Sequence, residues 1–138
     1  MPIALQDLGR AVKRLQARHH RALDARLVEI GTSLAQWDAL RAIAAVPEAT
    51  AHELAERTFQ TDQAFGTLAT RLVARGHITR SPGRGRAIVH RLTPAGAAML
   101  AAGTDLAEAV VAASFAPLSE AERETLAGLL ARLLPPER

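Results

Sequence analysis

The sequence predicts a mostly α-helical chain of about six helices with one two-stranded β-hairpin. Nearly half of its 138 residues are apolar, and there is no tyrosine. This composition, rich in alanine and leucine, is typical of a helical protein with a substantial core. Apolar residues recur at three- and four-residue spacing along most of the chain. Only residues 77–92 alternate as strands do.

The composition also excludes several classes of protein. There is no cysteine, so disulfides, a thiol switch and thiolate metal ligands are excluded. We find no signal peptide and no apolar run near about eighteen residues, and we therefore expect a soluble, cytoplasmic protein without a membrane partner.

Residues 4–30 form one long predicted helix, which Gly31 ends. One face is apolar and the other faces carry arginine and lysine. The apolar stripe consists of Leu5, Leu8, Val12, Leu15, His19 and Ala22. A stripe of this length needs a partner surface, and the basic faces are interpreted as solvated rather than bound to phosphate.

The second predicted helix begins at a capping box formed by Ser33 and Gln36 and ends near residues 46–47. Its inward side chains are expected to be Trp37, Leu40, Ile43 and Ala44. Trp37 is the only tryptophan. It is interpreted as a core residue that could also line a ligand pocket.

Residues 50–76 read as two short helices joined by a turn. Thr50 and Glu53 have the spacing of a capping box, and the polar turn at 58–60 separates the helices. Thr61 or Asp62 can cap the second helix, and Gly76 ends it. The inward face of that helix contains Phe65, Leu68, Ala69 and Leu72.

The opposite face of the second helix is small and polar. Gln63, Thr67, Thr70 and Ala74 lie on it, flanked by Gln60, Gly66 and Arg71. Such a face allows close approach to the major groove, where Gln and Thr can bond base edges. The alternative is an ordinary solvated face, although the Glu and Lys that usually fill one are missing here.

The hairpin that follows has a basic tip. Residues 77–81 and 87–92 read as its strands, and the two glycines of the connecting segment 82–86 suit positive φ. Arg84 and Arg86 at the tip can enter a minor groove or hold phosphates; the alternative is a solubilising turn. Within 62–91, Asp62 is the only acid beside six arginines. They are Arg71, Arg75, Arg80, Arg84, Arg86 and Arg91. Helix, turn, helix and hairpin together predict a winged helix-turn-helix that binds DNA.

Two more helices complete the chain. Thr93 and Pro94 begin the first, which runs to about Phe115, and a capping box of Ser119 with Glu122 begins the second. The last helix carries a strong stripe of Leu126, Leu129, Leu130, Leu133 and Leu134. We interpret the chain as a single unit, 1–138, in which 33–94 bind DNA and 1–31 with 95–138 form a homodimer interface. The alternative is an intramolecular helical layer in a monomer.

With these features in place, residues 5–134 resemble the MarR family of bacterial transcriptional regulators. The matching motifs are Gln36-Trp37 with Leu40 and Ile43, Glu53-Leu54-Ala55, Arg71-Leu72 before Gly76-His77-Ile78-Thr79-Arg80, Arg86 with Leu92-Thr93-Pro94-Ala95-Gly96, and Leu118-Ser119 with Glu122. The resemblance implies an obligate triangular dimer that represses, or less often activates, its target genes. It also implies a small, often anionic aromatic effector held between the dimer helices and the winged module.

The chain departs from the family pattern in three places. Arg84-Gly85-Arg86 stands where the family's wing usually has Asp-x-Arg, which implies a looser wing. Gly66-Thr67 stands where the recognition helix often has a Thr-Arg pair, which implies a different base readout. The cysteine of the oxidant-sensing members is absent.

We therefore predict a transcriptional regulator, a repressor, that binds a palindromic operator in double-stranded DNA as a homodimer. The predicted DNA-binding residues are Gln60, Thr61, Gln63, Gly66, Thr67, Thr70, Arg71, Arg80, Arg84 and Arg86. His19, Trp37 and Met99 lie where the family's effector cleft would be, and each is also explained as core. We expect no metal, cofactor or catalytic residue. The alternative function is a winged-helix module that binds proteins.

Overall fold

The computed structural model describes residues 1–85 and 87–136. The helices within them are α1 (Leu5–Glu29), α2 (Leu34–Ala45), α3 (Ala51–Arg57), α4 (Asp62–Ala74), α5 (Pro94–Phe115) and α6 (Glu120–Leu133). The strands β1 (Ile78–Pro82) and β2 (Ile88–Leu92) form an antiparallel pair in which Arg80 lies opposite His90. The predicted mostly helical fold with a winged helix-turn-helix is confirmed.

The helices α2 to α6 begin where the sequence predicts, because a hydroxyl accepts a hydrogen bond from the amide three residues on, whereas α1 begins after Ala4 without a side-chain cap. These N-caps are Ser33, Thr50, Thr61, Thr93 and Ser119. The reciprocal side-chain bond of a full capping box forms between Ser119 and Glu122. At Thr50 the Glu53 carboxylate instead accepts from the threonine hydroxyl, at 3.2 Å. At Ser33 the Gln36 amide oxygen accepts from Thr32, at 3.3 Å.

The buried core lies within the winged module, residues 33–94. It contains Ala39, Leu40, Ala42, Ile43, Ala49, Leu54, Ala55, Phe65, Ala69, Leu72 and Ile78. The expectation that Ala44 points inward is wrong, because Ala44 is exposed. Each residue advances about 100° around a helix, so Ala44 lies a quarter turn beyond Ile43 and leaves the core.

Two glycines let α5 pack closely against the winged module. A Cβ at Gly96 would overlap the backbone carbonyl of His77, and one at Gly103 would overlap the Trp37 indole. The indole Nε1 also donates to the Leu100 carbonyl, at 3.3 Å. Any larger residue at Gly96 or Gly103 would push α5 away from the module.

The apolar character of α5 corrects one expectation. Among the described residues this 22-residue helix, which contains an 18-residue window with a mean hydropathy of 1.4, is long and apolar enough to cross a membrane by length and composition. Much of that value comes from the alanines of α5. In the structure α5 packs against α1 and α2, and its buried residues are Gly96 and Gly103.

The terminal helices leave their apolar stripes in solvent. In the protomer Leu5 is 82% exposed and Leu133 is 77% exposed. Residues buried on these helices are Leu27 on α1 and the two glycines on α5, while α6 has none. The predicted stripes are therefore present, and within one protomer they remain uncovered.

The turn between α3 and α4 contains an unusual aromatic residue. Phe59 has a φ of 56° and is 93% exposed. Its amide donates to Glu56, and the Gln60 amide donates to Ala55, which is the hydrogen-bond pattern of a helix C-terminus that normally places glycine here. A bulky residue in this conformation is strained.

Candidate nucleic-acid interface

The exposed face of α4 is polar and short-chained, as predicted. Phe65, Ala69 and Leu72 are buried, so Gln63 and Thr67 point outward into solvent. The Thr67 hydroxyl donates to the Gln63 carbonyl, at 3.1 Å. The Thr70 hydroxyl likewise donates to the Gly66 carbonyl, at 3.0 Å. These two bonds keep the threonine side chains close to the helix, which leaves a low surface that can approach a DNA groove closely.

The start of α4 carries the predicted residues Gln60 and Thr61. Thr61 is the N-cap, and its hydroxyl accepts from the Ala64 amide, at 3.1 Å. Gln60 is half-buried in the turn. Free amides at a helix N-terminus attract anions such as phosphate.

The arginines near α4 have separate roles. Arg71 is exposed on the outer side of α4. Arg75 turns away and donates to the Gly31 carbonyl at the end of α1. Arg80, from β1, reaches across to α4, where its Nη2 donates to the Thr70 hydroxyl, at 2.8 Å. The structure thus brings Arg80 onto the same face as Gly66, Thr67 and Thr70.

The tip of the wing presents Arg84 to solvent. Of the two tip glycines, Gly85 has a positive φ, 62°. The expectation of positive φ at Gly83 is wrong, and its absent side chain instead leaves room for Val89. Arg86, the other predicted wing residue, lies outside the described residues.

A histidine that was not among the predicted site residues joins the wing to α4. His90 is buried, and its ring meets Phe65 edge-on with 5.8 Å between centroids. Burial, helped by the nearby charge of Arg80, lowers the pKa of His90. The signal was readable, since Ile88, His90 and Leu92 alternate onto one face of β2.

A second histidine lies at the outer end of the helix-turn-helix. The His52 ring contacts Asp62 on α4, at 2.8 Å, and Glu56 on α3, at 3.0 Å. The bond to Asp62, with the charges of both carboxylates, raises the pKa of His52. The four-residue spacing of His52 and Glu56 on one helix makes their contact readable from the sequence, whereas nothing in the sequence pointed to Asp62. Across the described chain no group of three potential metal ligands comes together.

The three candidate effector residues are not brought into one cleft. His19 contacts Ser114 and packs edge-on against Phe115 near the end of α5. Trp37 lies against Gly103 in the middle of that helix, while Met99 packs on the core near its start. Of the three candidates, only His19 lines the cleft of about 300 Å³ between α1 and α5. The other residues that line this cleft include Arg18, Arg26 and Ser114.

Comparison with known proteins agrees with this geometry. The model of the MarR family matches residues 30–87. A probable transcriptional regulator from Pseudomonas aeruginosa is 34% identical, with a TM-score of 0.79 over 95% of this chain and 100% of that chain. No curated protein sequence matches.

Two further solved structures contain ligands. A mutant of MarR from E. coli complexed with operator DNA is 26% identical, with a TM-score of 0.83 over 94% of both chains. A MarR family protein of Mycobacterium tuberculosis in complex with p-aminosalicylic acid is 25% identical, with a TM-score of 0.78 over 91% of this chain and 97% of that chain. The family model, the identity over nearly the full length and the winged fold lead to one conclusion: the chain belongs to the MarR family of transcriptional regulators.

Proposed function

We propose that this protein is a cytoplasmic, non-enzymatic repressor that binds a palindromic DNA operator as a homodimer. The observation that carries the proposal is the exposed polar face of α4 with arginines beside it. Gln63, Thr67 and Arg71 lie on that face, and Arg80 extends over it. These are the groups that bond base edges and phosphates in a major groove.

The other predicted contacts surround this face. Gln60 and Thr61 lie at the start of α4, where they suit a phosphate. Gly66 lets the backbone approach the groove. Arg84 at the wing tip, with Arg86 beyond it in sequence, suits the adjacent minor groove.

The homodimer is supported by the terminal helices. Their exposed stripes include Leu8 and Val12 on α1 and Leu129 and Leu130 on α6. Exposed apolar stripes of this kind favour an interface. Residues 1–46 contain seven basic and four acidic groups, whereas 94–138 contain three and six. Opposite charges suit contact between the N-terminal region of one protomer and the C-terminal region of its partner.

Binding to duplex DNA across a salt series tests the DNA-binding function. The DNA upstream of the protein's own gene is compared with a scrambled duplex of the same composition. We expect clear preference for the upstream DNA and a steep fall of affinity with salt, because arginines displace counterions from phosphates. Equal and weak binding to both duplexes would favour the alternative, a winged-helix module that binds proteins.

The wing contact is tested with Arg84→Ala. The matched control is Arg14→Ala, which removes the same charge from α1 on the side opposite its apolar stripe. We expect Arg84→Ala to weaken DNA binding and reduce the salt slope by about one, while Arg14→Ala leaves both near the wild-type values. Equal effects of the two substitutions would show a nonspecific charge effect and contradict a wing contact.

We also propose that a small anionic aromatic compound releases the protein from its operator. The support is the cleft between α1 and α5, where the cations Arg18 and Arg26 flank His19. The Arg26 Nε also pairs with the Glu29 carboxylate, at 3.5 Å. The bound anion would therefore compete with that carboxylate for Arg26. The Mycobacterium tuberculosis relative binds a compound of this chemistry.

Titration of salicylate with and without operator DNA tests the release. Linkage requires that ligand and DNA weaken each other's affinity by the same factor. Arg18→Ala is expected to weaken salicylate binding and leave operator affinity unchanged. Independent binding of ligand and DNA would contradict the proposed release from the operator. A reporter gene behind the operator gives the sign of regulation, and we expect expression to rise when the chain is deleted.

A further inference from the structure

The guanidinium of Arg80 is held on the recognition helix by a two-step chain of hydrogen bonds. Its Nη2 donates to the Thr70 hydroxyl, at 2.8 Å, and that hydroxyl donates to the Gly66 carbonyl, at 3.0 Å. We propose that Thr70 is a positioning residue that fixes the Arg80 guanidinium over α4 and so makes Arg80 a reader of base sequence. This inference rests on the proposed DNA-binding function.

The charge distribution gives Arg80 its importance. The helix α4 has Arg71 on its outer side, while the guanidinium of Arg75, at its end, donates to the Gly31 carbonyl. Arg71 is therefore the one basic side chain that α4 itself offers to a groove. Arg80 brings a second guanidinium from the neighbouring strand onto the middle of that face.

The backbone that carries Arg80 is fixed by the core. Arg80 lies opposite His90 in the hairpin, and buried His90 packs against Phe65 on the inner side of α4. The hairpin is thus held to α4 by two contacts: the His90 ring packs against Phe65, and the Arg80 guanidinium bonds the Thr70 hydroxyl. A side chain restrained in this way loses less rotamer freedom on binding, which favours a specific contact.

The hydrogen-bonding capacity of Thr70 supports a positioning role. A threonine hydroxyl has one donor and two acceptor sites. Here the donor is used by Gly66 and one acceptor by Arg80. Thr70 can therefore donate to a base only by giving up its helix bond. The guanidinium keeps its remaining donors, which suit the O6 and N7 acceptors of guanine.

Thr70→Val and Thr70→Ser separate positioning from packing. Valine keeps the shape and loses the hydroxyl, whereas serine keeps the hydroxyl. Binding is measured to the preferred duplex and to a set with single base-pair changes. We expect Thr70→Val to lose about tenfold discrimination at one base pair of each half-site, with an unchanged melting temperature, and Thr70→Ser to retain it.

A double-mutant cycle with Arg80→Ala tests whether Thr70 acts through Arg80. Thr70→Val is expected to have no further effect once Arg80 is removed. The matched control is Thr67→Val, since Thr67 makes the same helix back-bond to Gln63, and its effect should add to that of Arg80→Ala.

Two results would overturn the inference: uniform loss of affinity for every duplex with Thr70→Val, or additivity of Thr70→Val with Arg80→Ala. If the wild-type protein itself prefers no duplex, the DNA-binding proposal fails as well. Wild-type discrimination that Thr70→Val leaves intact overturns the positioning role alone.

Discussion

The winged module and the terminal helices differ in how they bury their apolar side chains. In the winged module Leu40, Phe65 and Leu72 are each at most 1% exposed, and its core comes from α2, α3, α4 and β1. On the terminal helices Leu5 and Leu133 lie largely in solvent. One part of the protomer thus closes its own core and the other offers an apolar surface.

This difference separates two sources of stability. The winged module gains its burial within one chain, so its local stability does not depend on protein concentration. In the proposed dimer the terminal helices gain theirs by association, and the stability of that part is then expected to depend on protein concentration. Gly96 and Gly103 connect the two parts, because both glycines allow α5 to lie directly on the module.

The largest expected effect comes from breaking the terminal surface. The pair Leu129→Glu and Leu133→Glu places charges on the exposed stripe of α6. We expect a monomer by sedimentation and about a hundredfold or greater loss of operator affinity, because two linked modules bind with an avidity that one lacks. Ala44→Glu, at an exposed site of α2, is the control and should remain dimeric. A double variant that remains dimeric would contradict this role of the stripe.

The next effect comes from breaking the core of the winged module. Phe65 is 1% exposed, and Phe65→Ala is expected to lower the free energy of unfolding by about 3–5 kcal/mol. Phe59→Ala is the same change at a residue that is 93% exposed, and a change within about 0.5 kcal/mol is expected. Denaturant unfolding at one fixed protein concentration measures both. Equal losses would mean that the module does not hold the core described.

A smaller effect is expected from a substitution that stabilises the winged module and leaves the terminal helices unchanged. Phe59→Gly relieves a left-handed backbone conformation in the helix-turn-helix turn, and we expect a gain of about 1 kcal/mol in the free energy of unfolding. Phe59→Ala keeps a Cβ and should bring no such gain. The dimer dissociation constant should not move, since the turn lies outside the terminal helices. A loss of stability with glycine would show that the aromatic ring makes a stabilising contact.

The smallest expected effect is a dependence on pH with two opposite contributions. Burial lowers the pKa of His90 below its ordinary value of 6.5. Below pH 6.5 the His90 ring therefore binds a proton more readily in the unfolded chain than in the folded chain. The free energy of unfolding consequently falls as the pH drops below 6.5. Asp62 raises the pKa of His52 above 6.5, so its contribution is present below 6.5 and is lost as pH rises through the raised value.

Chemical unfolding between pH 5 and pH 8.5, about one to two units on either side of the ordinary histidine pKa, measures these contributions. His90→Gln should remove the loss on the acidic side, and His52→Ala should remove the loss on the alkaline side. Identical pH profiles for the wild type and His90→Gln would mean that buried His90 is not held neutral.

The local features of the fold were predictable from the sequence. Ser33, Thr61 and Thr93 cap helices through bonds that span three residues, and such short-range signals are present in the sequence itself. Periodicity likewise separated Phe65 and Leu72 from the outer face of α4. Ala44 was wrongly predicted to point inward because it lies at the edge of the apolar face of α2.

The partners of the charged side chains were not predictable. Arg75 and Arg80 both belong to the basic charge of residues 62–91, yet Arg75 bonds Gly31 and Arg80 bonds Thr70. His52 meets Asp62 across a turn. Each of these contacts depends on how two elements pack, and the periodicity of a single element does not contain that information.

The most direct test of the comparison is the spacing of two half-sites in a duplex selected from random sequence. A dimer joined by its terminal helices presents its two recognition helices at a fixed separation of about one helical turn or a multiple of it. We predict two chains per duplex and a large loss of affinity when about half a turn of DNA is inserted between the half-sites. One chain per duplex, with an affinity that the insertion does not change, would contradict a dimer built from the exposed stripes.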